Sequence, residues 1–517
     1  MTDRPPTIEP GELTLASIRE GQLRGRPVTV LGLARSGIAL ARFLHDAGAR
    51  VTVYDGRPAA DLEPGIAALG GRDVELRLGP SVDPAATWSD AVLVTTSPSI
   101  NPDYPTTEPR LRQALRALAT ARISGDRAAP AVVSEADLFL RLCPAPVIGV
   151  TGTKGKTTTA SLIRHLLDGD PGHPAVLGGN IGTPLIERLP ELTTEHRVVL
   201  ELSELQLPTL STGTTVAVYT NVTSDHLDRH GSLDAYRRAK RRLGELIDPS
   251  GALVLNADDP VVAAYASEAR ARTVLYTLDP PPPGGIGVVD GRIVDAGIAA
   301  LADAGTTRAE TRPIIAVDEL PLPGRHNVSN ALAAIAAARL FGLPVDRIGH
   351  DIRDFRGVEH RLERIATIDG VAFVNDSMGT QPDAVIAALE AFEPPIVLIA
   401  GGRDKGLDLA PLARVVADRA AAAVLIGESA AMLERRFRDA GLATIERAET
   451  LEGGVVRADA LARRALASGD GDRATVLLSP AAASFDMFED YAARGRAFRT
   501  AVERLAADRP GAEGRES

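Results

Sequence analysis

The sequence predicts an α/β protein built from parallel sheets and divided into three domains. Its 517 residues exceed what a single hydrophobic core usually holds. Two segments have the order strand, glycine turn, helix, and from Val371 onward apolar strands alternate with helical segments. We therefore predict a Rossmann-like N-terminal domain, a central domain with a parallel sheet of the phosphate-loop ATPase type, and a Rossmann-like C-terminal domain. Their predicted limits are residues 1–130, 131–357 and 358–517.

The composition excludes several classes of protein. A formal net charge of −11 argues against a general nucleic-acid binder. The single cysteine, Cys143, excludes an internal disulfide framework, and Met1 to Pro10 lack the apolar core of a signal peptide. No apolar run is long enough to span a bilayer. We expect a cytoplasmic protein that acts as a monomer and binds neither nucleic acid nor membranes.

The first glycine turn runs from Gly32 to Gly37, between an apolar strand at residues 27–31 and a helical segment. A second short strand ends in Asp55, where a ribose-binding acid stands in dinucleotide-binding domains. Ala34 replaces the middle glycine of the G-x-G-x-x-G pattern, so the turn alone is a weak signal. Because of the glycine turn and Asp55, an NAD(P)-dependent oxidoreductase is one competing interpretation.

The sharpest motif is the phosphate loop at residues 151–157, Thr-Gly-Thr-Lys-Gly-Lys-Thr, between a strand and a helix. Glycines let backbone amides surround phosphate oxygens, and the N-terminus of the helix favours negative charge. Lys156 is expected to reach the terminal phosphates and Thr157 to place its hydroxyl on Mg²⁺. Strict Walker A spacing requires glycine at position 150, which is Val150 here, so the loop is a variant.

Two later segments carry candidate metal ligands. Glu201 stands at the end of a buried strand downstream of the phosphate loop, a position suited to holding Mg²⁺. The cluster Asp225, His226 and Asp228 follows another strand and suits a second divalent ion. An isolated acid or histidine in such a place is also often structural.

Lysine is rare in this chain. Lysine and arginine together number 57, yet only four are lysines: Lys154, Lys156, Lys240 and Lys405. A lysine amine is a compact charge that can also lose its proton, which a guanidinium does not do. The four lysines are therefore candidates for positions where arginine cannot serve.

The chain resembles the Mur ligase family, and most closely its glutamate-adding members. Residues 151–157, 221–228 and 323–330 carry the family resemblance, and residues 178–182, 200–206, 375–377 and 479–488 narrow it. The resemblance extends from about residue 27 to about residue 500. It implies an ATP-dependent amide ligase of peptidoglycan precursor synthesis, which adds D-glutamate to UDP-N-acetylmuramoyl-L-alanine through an acyl phosphate.

The resemblance also implies roles for individual residues. ATP would be bound by Gly152, Thr153, Lys154, Gly155, Lys156, Thr157, Thr158, Asn327, Asn330, Arg361 and Asp376. Two Mg²⁺ ions would be held by Thr157, Glu201, His226 and Lys240, the last as a carbamate. The implied catalytic residues are Lys156, Glu201, His226 and Lys240.

Substrate contacts follow from the same resemblance. The UDP end of the substrate would lie against Arg35, Ser36, Arg57 and Ser97, and its muramoyl part against Asn180, Ser203 and Gln206. The incoming glutamate would be held by Thr380, Lys405, Ser484, Phe485 and Tyr491. A reactive acyl phosphate must be shielded from water, so we expect a hinge near residues 345–360.

The sequence departs from the family pattern at two positions. Met378 stands where many glutamate-adding members have lysine, and Tyr491 stands where phenylalanine is common. Relatives that lack this lysine include ligases that add L-glutamate, so the L-glutamate-adding relative is the main alternative. Another ligase of the superfamily, such as folylpolyglutamate synthase, and a nucleotide-gated binding protein without catalysis are further alternatives.

Overall fold

The structure, a computed structural model, describes residues 6–181, 184–223, 232–303, 311–322, 324–404, 407–468 and 473–509. These residues form three sheets and divide into two compact units, residues 1–355 and residues 356–517. Unit 1 contains the first two sheets and unit 2 contains the third. The boundary between Phe355 and Arg356 falls inside the segment 345–360 that we predicted to contain a hinge.

The first sheet has five parallel strands in the order β3-β2-β1-β4-β5. This order reverses between β1 and β4, which is where doubly wound sheets open a crevice for a ligand. Its strands are Pro27–Leu31 (β1), Arg50–Asp55 (β2), Glu75–Leu78 (β3), Leu93–Thr96 (β4) and Ala131–Ser134 (β5). Its helices are Leu15–Arg19 (α1), Arg35–Asp46 (α2), Glu63–Ala68 (α3), Pro109–Ile123 (α4) and Glu135–Leu142 (α5).

The second sheet has nine strands in the order β14-β13-β12-β11-β10-β9-β6-β8-β7. The strands from β7 to β12 are parallel, and β12, β13 and β14 form an antiparallel meander at one edge. The strands are Val147–Thr151 (β6), Ala175–Gly179 (β7), Arg197–Glu201 (β8), Val216–Tyr219 (β9), Ala252–Asn256 (β10), Arg272–Tyr276 (β11), Ile286–Val289 (β12), Arg292–Asp295 (β13) and Arg312–Ala316 (β14). The helices are Lys156–Asp168 (α6), Leu233–Glu245 (α7), Pro260–Ala264 (α8), Arg325–Leu340 (α9) and Val345–Asp351 (α10).

The third sheet has six strands in the order β15-β16-β20-β17-β18-β19. Only the edge pair β15 and β16 is antiparallel. The strands are Glu363–Ile368 (β15), Val371–Asn375 (β16), Ile396–Gly401 (β17), Ala420–Ile426 (β18), Ile445–Arg447 (β19) and Ala474–Leu478 (β20). The helices are Pro382–Glu390 (α11), Ala410–Arg419 (α12), Ala430–Asp439 (α13), Leu451–Ser468 (α14) and Tyr491–Ala507 (α15).

Burial explains why the central strands are continuous apolar runs. Every residue of β1, β6, β8 and β10 is buried. Helices cover both faces of a parallel sheet, so its strands do not alternate between core and solvent. The predicted α/β class with parallel sheets is therefore confirmed. The three-domain limits stay a prediction, although β5 extends the first sheet past residue 130 to Ser134.

A buried ion pair fixes α9 against the end of β13. Arg339 Nε lies 2.7 Å from Asp295 Oδ2, and both side chains are less than one-tenth exposed. The other carboxylate oxygen, Asp295 Oδ1, accepts hydrogen bonds from the amides of Gly297 (2.9 Å) and Ile298 (2.7 Å). Removing the carboxylate would leave a buried guanidinium without its counter-charge.

We expect Asp295→Ala to lower the free energy of unfolding of unit 1 by about 3–5 kcal/mol, the usual cost of breaking a buried pair. Urea denaturation followed by the fluorescence of Trp88, the single tryptophan, measures this change. The exposed pair Arg77–Glu75 supplies the control, because Arg77→Ala should cost less than about 1 kcal/mol. Equal losses in the two variants would contradict the assignment.

Candidate functional site

The phosphate loop lies between β6 and α6, in the middle of the second sheet. Gly152 has φ 151°, and a Cβ there would lie 1.9 Å from Thr220 Oγ1. Gly155 has φ 84°, and a Cβ there would lie 2.4 Å from Asn330 Oδ1. Both positions therefore require glycine. The amides of Thr153 and Lys154 donate to Asn221, so the first amides of the thirteen-residue helix α6 are the ones available to phosphate oxygens.

The charged group of Lys156 sits over this loop. Its Nζ donates hydrogen bonds to the carbonyl oxygens of Gly152 and Thr153, both at 2.9 Å. An ammonium held at this position can neutralise phosphate charge at the loop. The structure thus places Lys156 where the sequence predicted it, at the start of α6.

The carboxylate of Glu201 contacts two other predicted site residues, Thr157 and Asn180. It lies at the end of β8 and is 1% exposed. Thr157 Oγ1 donates to Glu201 Oε2 at 2.8 Å, and Asn180 Nδ2 donates to Glu201 Oε1 at 2.9 Å. A hydroxyl and a carboxylate at this distance beside a phosphate loop form a donor set that fits Mg²⁺, which prefers oxygen ligands.

Lys240 points at the same loop from α7. Its side chain is completely buried, and Nζ donates to Gly152 O at 2.9 Å and to Thr151 Oγ1 at 3.3 Å. The ring of Tyr236, one helical turn away, lies 5.5 Å from Nζ, and its hydroxyl is 2.9 Å from Thr153 Oγ1. This lysine is therefore part of the loop's support rather than a solvated surface charge.

Two side chains clamp the loop from the end of β9: Thr220, which the sequence did not single out, and Asn221, which opens the segment 221–228. Thr220 Oγ1 donates to Lys154 O at 2.6 Å, and Asn221 exchanges hydrogen bonds of 2.9 Å with the backbone N and O of Lys154. Tyr236 was also not predicted. Strand β9 lies directly beside β6, so residues just after β9 were the available signal, provided that the strand order was known.

Asn327 and Asn330 open α9 close to the loop. Asn330 Oδ1 accepts a hydrogen bond from Thr159 Oγ1 at 3.3 Å, and Asn330 Nδ2 donates to Asn327 Oδ1 at 3.2 Å. These contacts hold the first turn of α9 against α6. Asn330 thus lies beside Gly155, and the contact of both asparagines with ATP stays a prediction.

A cavity of about 340 Å³ lies in unit 1 beside the carboxyl ends of β1 and β2. Its lining includes Gly32, Tyr54, Asp55 and Ile100 from the first sheet and Leu205 from the segment after Glu201. This is the crevice expected at the reversal of strand order. The cavity therefore lies between the glycine turn and a loop of the second sheet.

Asp55 is bound by its own loop. Arg57 donates to both carboxylate oxygens, at 3.0 and 2.8 Å, and the Leu33 amide donates to Oδ2 at 2.9 Å. Burial alone would raise the pKa of Asp55, but these hydrogen bonds outweigh it and the pKa lies below its ordinary value. The acid that suggested an NAD(P)-binding domain is thus a brace for the glycine turn.

The other predicted substrate residues of unit 1 lie around this crevice and the end of β7. Arg35 donates from its guanidinium to Asn180 O at 3.2 Å, which connects the start of α2 to the second sheet. Ser97 Oγ is buried and has no hydrogen-bond partner in the described part of the chain. Ser203 donates from its amide and its hydroxyl to Gln206 Oε1, at 2.9 and 3.0 Å. Ser36, next to Arg35, is partly exposed.

Unit 2 contains a second group of predicted residues. Asp376 follows β16 and is 5% exposed, and Ser479 Oγ donates to its Oδ2 at 2.6 Å. Burial raises the pKa of Asp376 to about 6, against the opposing effect of that hydrogen bond. Arg361 is exposed in the segment before β15.

The residues predicted to hold glutamate occupy different environments. Ser484 is 3% exposed, whereas the neighbouring Phe485 is 61% exposed. Tyr491 begins α15, and its carbonyl accepts a hydrogen bond from Ser377 Oγ at 2.7 Å. The Thr380 amide donates to the carbonyl of Met378, the residue that departs from the family pattern, at 2.8 Å. The predictions for His226 and Lys405 fall outside the described residues.

Fold and site define the class of protein: a nucleotide-binding α/β protein with a phosphate loop and a buried carboxylate beside it. Residues 150–338 match the Mur ligase middle domain, and residues 360–482 match the Mur ligase glutamate ligase domain. A protein of Symbiobacterium thermophilum, named UDP-N-acetylmuramoylalanine--D-glutamate ligase, is 41% identical over 92% of this chain and 97% of its own length. A protein of the same name from Desulfitobacterium hafniense is 40% identical over 93% of this chain and 98% of its own length.

The chain belongs to the Mur ligase family and is an ATP-dependent ligase, as predicted. Its fold is similar to that of UDP-N-acetylmuramate-alanine ligase MurC from Thermotoga maritima, with TM-score 0.50, 19% identity and coverage of 93% of this chain and 100% of the other. MurF from Acinetobacter baumannii gives TM-score 0.50 at 16% identity, with coverage of 94% and 98%. Among the described residues, no helix is both long and apolar enough to cross a bilayer.

We expect Lys240→Arg to lower turnover by roughly 100-fold, although it keeps the positive charge. The amine is completely buried, so a larger guanidinium does not fit, and arginine cannot form a carbamate. Phosphate release at saturating substrates measures the effect. Arg241→Lys is the control, because Arg241 lies on the same helix but pairs with Glu245 at a half-exposed position. Normal turnover of Lys240→Arg would remove Lys240 from the metal site.

We expect Asp376→Asn to stabilise unit 2 at neutral pH. The raised pKa means that the folded state favours the protonated carboxyl, so wild-type stability falls as the pH rises from about 4 to about 6. Asparagine does not ionise, and the variant should therefore gain up to roughly 3 kcal/mol above pH 7 and little at pH 4. Amide hydrogen exchange of residues 371–375 in urea measures the difference in the free energy of unfolding between the variant and the wild type at each pH. Asp439→Asn, at an exposed position, controls for the substitution itself.

Proposed function

We propose that this chain joins D-glutamate to UDP-N-acetylmuramoyl-L-alanine at the expense of ATP, in peptidoglycan precursor synthesis. The observation that carries the proposal is the meeting of Thr157, Asn180 and Glu201 beside the phosphate loop. Glu201, a predicted metal ligand, thus contacts Thr157, a predicted ATP ligand, and Asn180, a predicted muramoyl contact. The relatives with identities of 36–41% over more than nine-tenths of the chain carry the corresponding name.

Magnesium fits the residues around Glu201. We propose two ions, the first held by Thr157 and Glu201 and the second by residues that include His226 and a carbamylated Lys240. The support from the structure is the oxygen donor pair at 2.8 Å and the burial of Lys240 against the same loop. When bound, such ions neutralise phosphate charge and polarise the phosphoryl group.

The chain's own residues would position two reactants at the loop. The first amides of α6 and the Lys156 ammonium bind the ATP phosphates. Asn180 and Ser203, at the carboxyl ends of β7 and β8, orient the alanine carboxylate towards the γ-phosphorus. That attack displaces ADP and forms an acyl phosphate. The glutamate amine then attacks the carbonyl carbon, loses a proton and expels phosphate as the amide bond forms.

The cavity in unit 1 is the proposed site for the UDP end of the substrate. It lies at the reversal of strand order. Two predicted UDP contacts adjoin its lining: Arg57 pairs with the lining residue Asp55, and a Cβ on the lining residue Gly32 would lie 3.2 Å from Ser97 Oγ. The orphaned hydroxyl of Ser97 retains hydrogen-bonding capacity at this place. Asp376 is the proposed ribose contact of ATP, and Arg361 the proposed phosphate contact.

The L-glutamate-adding relative remains the alternative, on the observation that Met378 replaces the usual lysine. The half-buried side chain of Met378 carries no charge, so the contact made by that lysine is missing here. We also propose a cytoplasmic monomer that binds neither nucleic acid nor membranes.

Phosphate release with ATP, Mg²⁺ and UDP-N-acetylmuramoyl-L-alanine tests the proposal, with D-glutamate and L-glutamate compared in parallel. We expect release with D-glutamate only, and none from a Lys156→Ala control, which removes the phosphate-binding ammonium. Release with L-glutamate only would establish the alternative. Silence with both, from a folded wild-type protein, would mean that the donor or the acceptor is a different molecule.

A further inference from the structure

Three loops interlock at the carboxyl ends of β17, β18 and β20 in unit 2. These strands are neighbours in the order β20-β17-β18. The Arg403 amide donates to Ala483 O at 2.8 Å, and the Ala483 amide donates to Arg403 O at 3.2 Å. The Ser429 amide donates to Gly402 O at 2.9 Å. The loop after β17 is thus bound to both of the other loops.

Two glycines allow this close approach. Gly401 has φ 118°, and a Cβ there would lie 2.0 Å from Ile426 O. Gly402 has φ 137°, and a Cβ there would lie 2.2 Å from Ala483 O. The backbones are therefore in contact, and a displacement of one loop displaces the other two.

Asp486 connects the loop after β20 to the loop after β18. Its Oδ2 accepts a hydrogen bond from the Glu428 amide at 2.9 Å, and a Cβ on Gly427 would lie 2.3 Å from the same oxygen. Its Oδ1 is buried without a hydrogen-bond partner among the residues that the structure describes. The carboxylate is therefore held in one place by a single strong contact and by steric fit.

The same loop carries Ser484, a predicted contact of the incoming glutamate. The amides of Met487 and Phe488 both donate to Ser484 O, at 3.0 and 2.8 Å, so Asp486 lies within a tight turn that begins at Ser484. The position of the Asp486 carboxylate thus determines how this turn sits on the third sheet.

A buried arginine holds the other side of this loop. Arg494 is 1% exposed and donates to Ser377 O at 3.0 Å, to Ser377 Oγ at 3.0 Å and to Ala482 O at 3.3 Å. Burial lowers its pKa to about 10, and the charge of Asp486 opposes that lowering. The loop from Ala482 to Asp486 is therefore fixed at one end by a cation and at the other by an anion.

We propose that Asp486 is a positioning residue for the acceptor amino acid. Its carboxylate holds the Ser484 turn against the loop after β18, and so keeps Ser484 in place for the glutamate carboxylate. This inference rests on the proposed function. Asp486 lies in the segment 479–488, and the ligase chemistry described above assigns it no role.

Steady-state kinetics of Asp486→Ala and Asp486→Asn test the inference, with each substrate varied in turn. We expect Asp486→Ala to raise the KM for glutamate roughly tenfold or more, because the Glu428 amide loses its acceptor and the Ser484 turn loses its contact with the loop after β18. The KM values for ATP and for the UDP-linked substrate should change less than about twofold. Asp486→Asn keeps an acceptor for the Glu428 amide and should give a smaller rise.

Asp459→Ala is the matched control for loss of a buried acid in the same unit. Asp459 is 3% exposed and pairs with Arg463 at 3.1 Å, on α14. It should lower the melting temperature while leaving the KM for glutamate unchanged. An unchanged KM for glutamate in Asp486→Ala would overturn the inference, and so would an equal rise in the KM for ATP. If Asp486→Ala does not fold, the same comparison of KM values is made with Asp486→Asn. Failure of the wild type to release phosphate with glutamate would instead count against the proposed function.

Discussion

The carboxylate of Glu201 is the point on which the central site depends. One oxygen accepts a hydrogen bond from the hydroxyl of Thr157, and the other accepts one from the side-chain amide of Asn180. These partners lie 44 and 21 residues from Glu201 in sequence. They meet because β7, β8 and β6 are adjacent parallel strands whose carboxyl ends share one edge of the sheet. A buried acid at this edge brings together the phosphate loop and the residues after β7.

The phosphate loop itself is held from three directions. Lys156 covers it from α6, Lys240 supports it from α7, and Thr220 clamps it from the end of β9. Glycines at 152 and 155 make these approaches sterically allowed. Two of the four lysines in the chain, Lys156 and Lys240, donate hydrogen bonds to the same atom, the carbonyl oxygen of Gly152.

In unit 2, close backbone contacts and charged side chains also hold loops in place. Close glycine contacts join the loops after β17, β18 and β20, and the charged side chains of Arg494 and Asp486 hold the loop that carries Ser484. Asp376, after β16, is buried with its proton favoured, which costs stability at neutral pH. Such costs are common where a residue is kept for its contacts with a ligand rather than for packing.

The sequence by itself determined the α/β class, the phosphate loop, the family and most candidate residues, because strand periodicity, glycine spacing and motif order are local properties of the chain. Only the tertiary structure decided which of these residues meet. Asp55 stands where a ribose-binding acid stands in dinucleotide-binding domains, but Arg57 folds back onto it. Thr220 and Tyr236 lie outside the motifs that carry the resemblance, and Asp486 lies in the segment 479–488 without a predicted role. Their roles come from strand order and from close backbone approach, which depend on residues far apart in the chain.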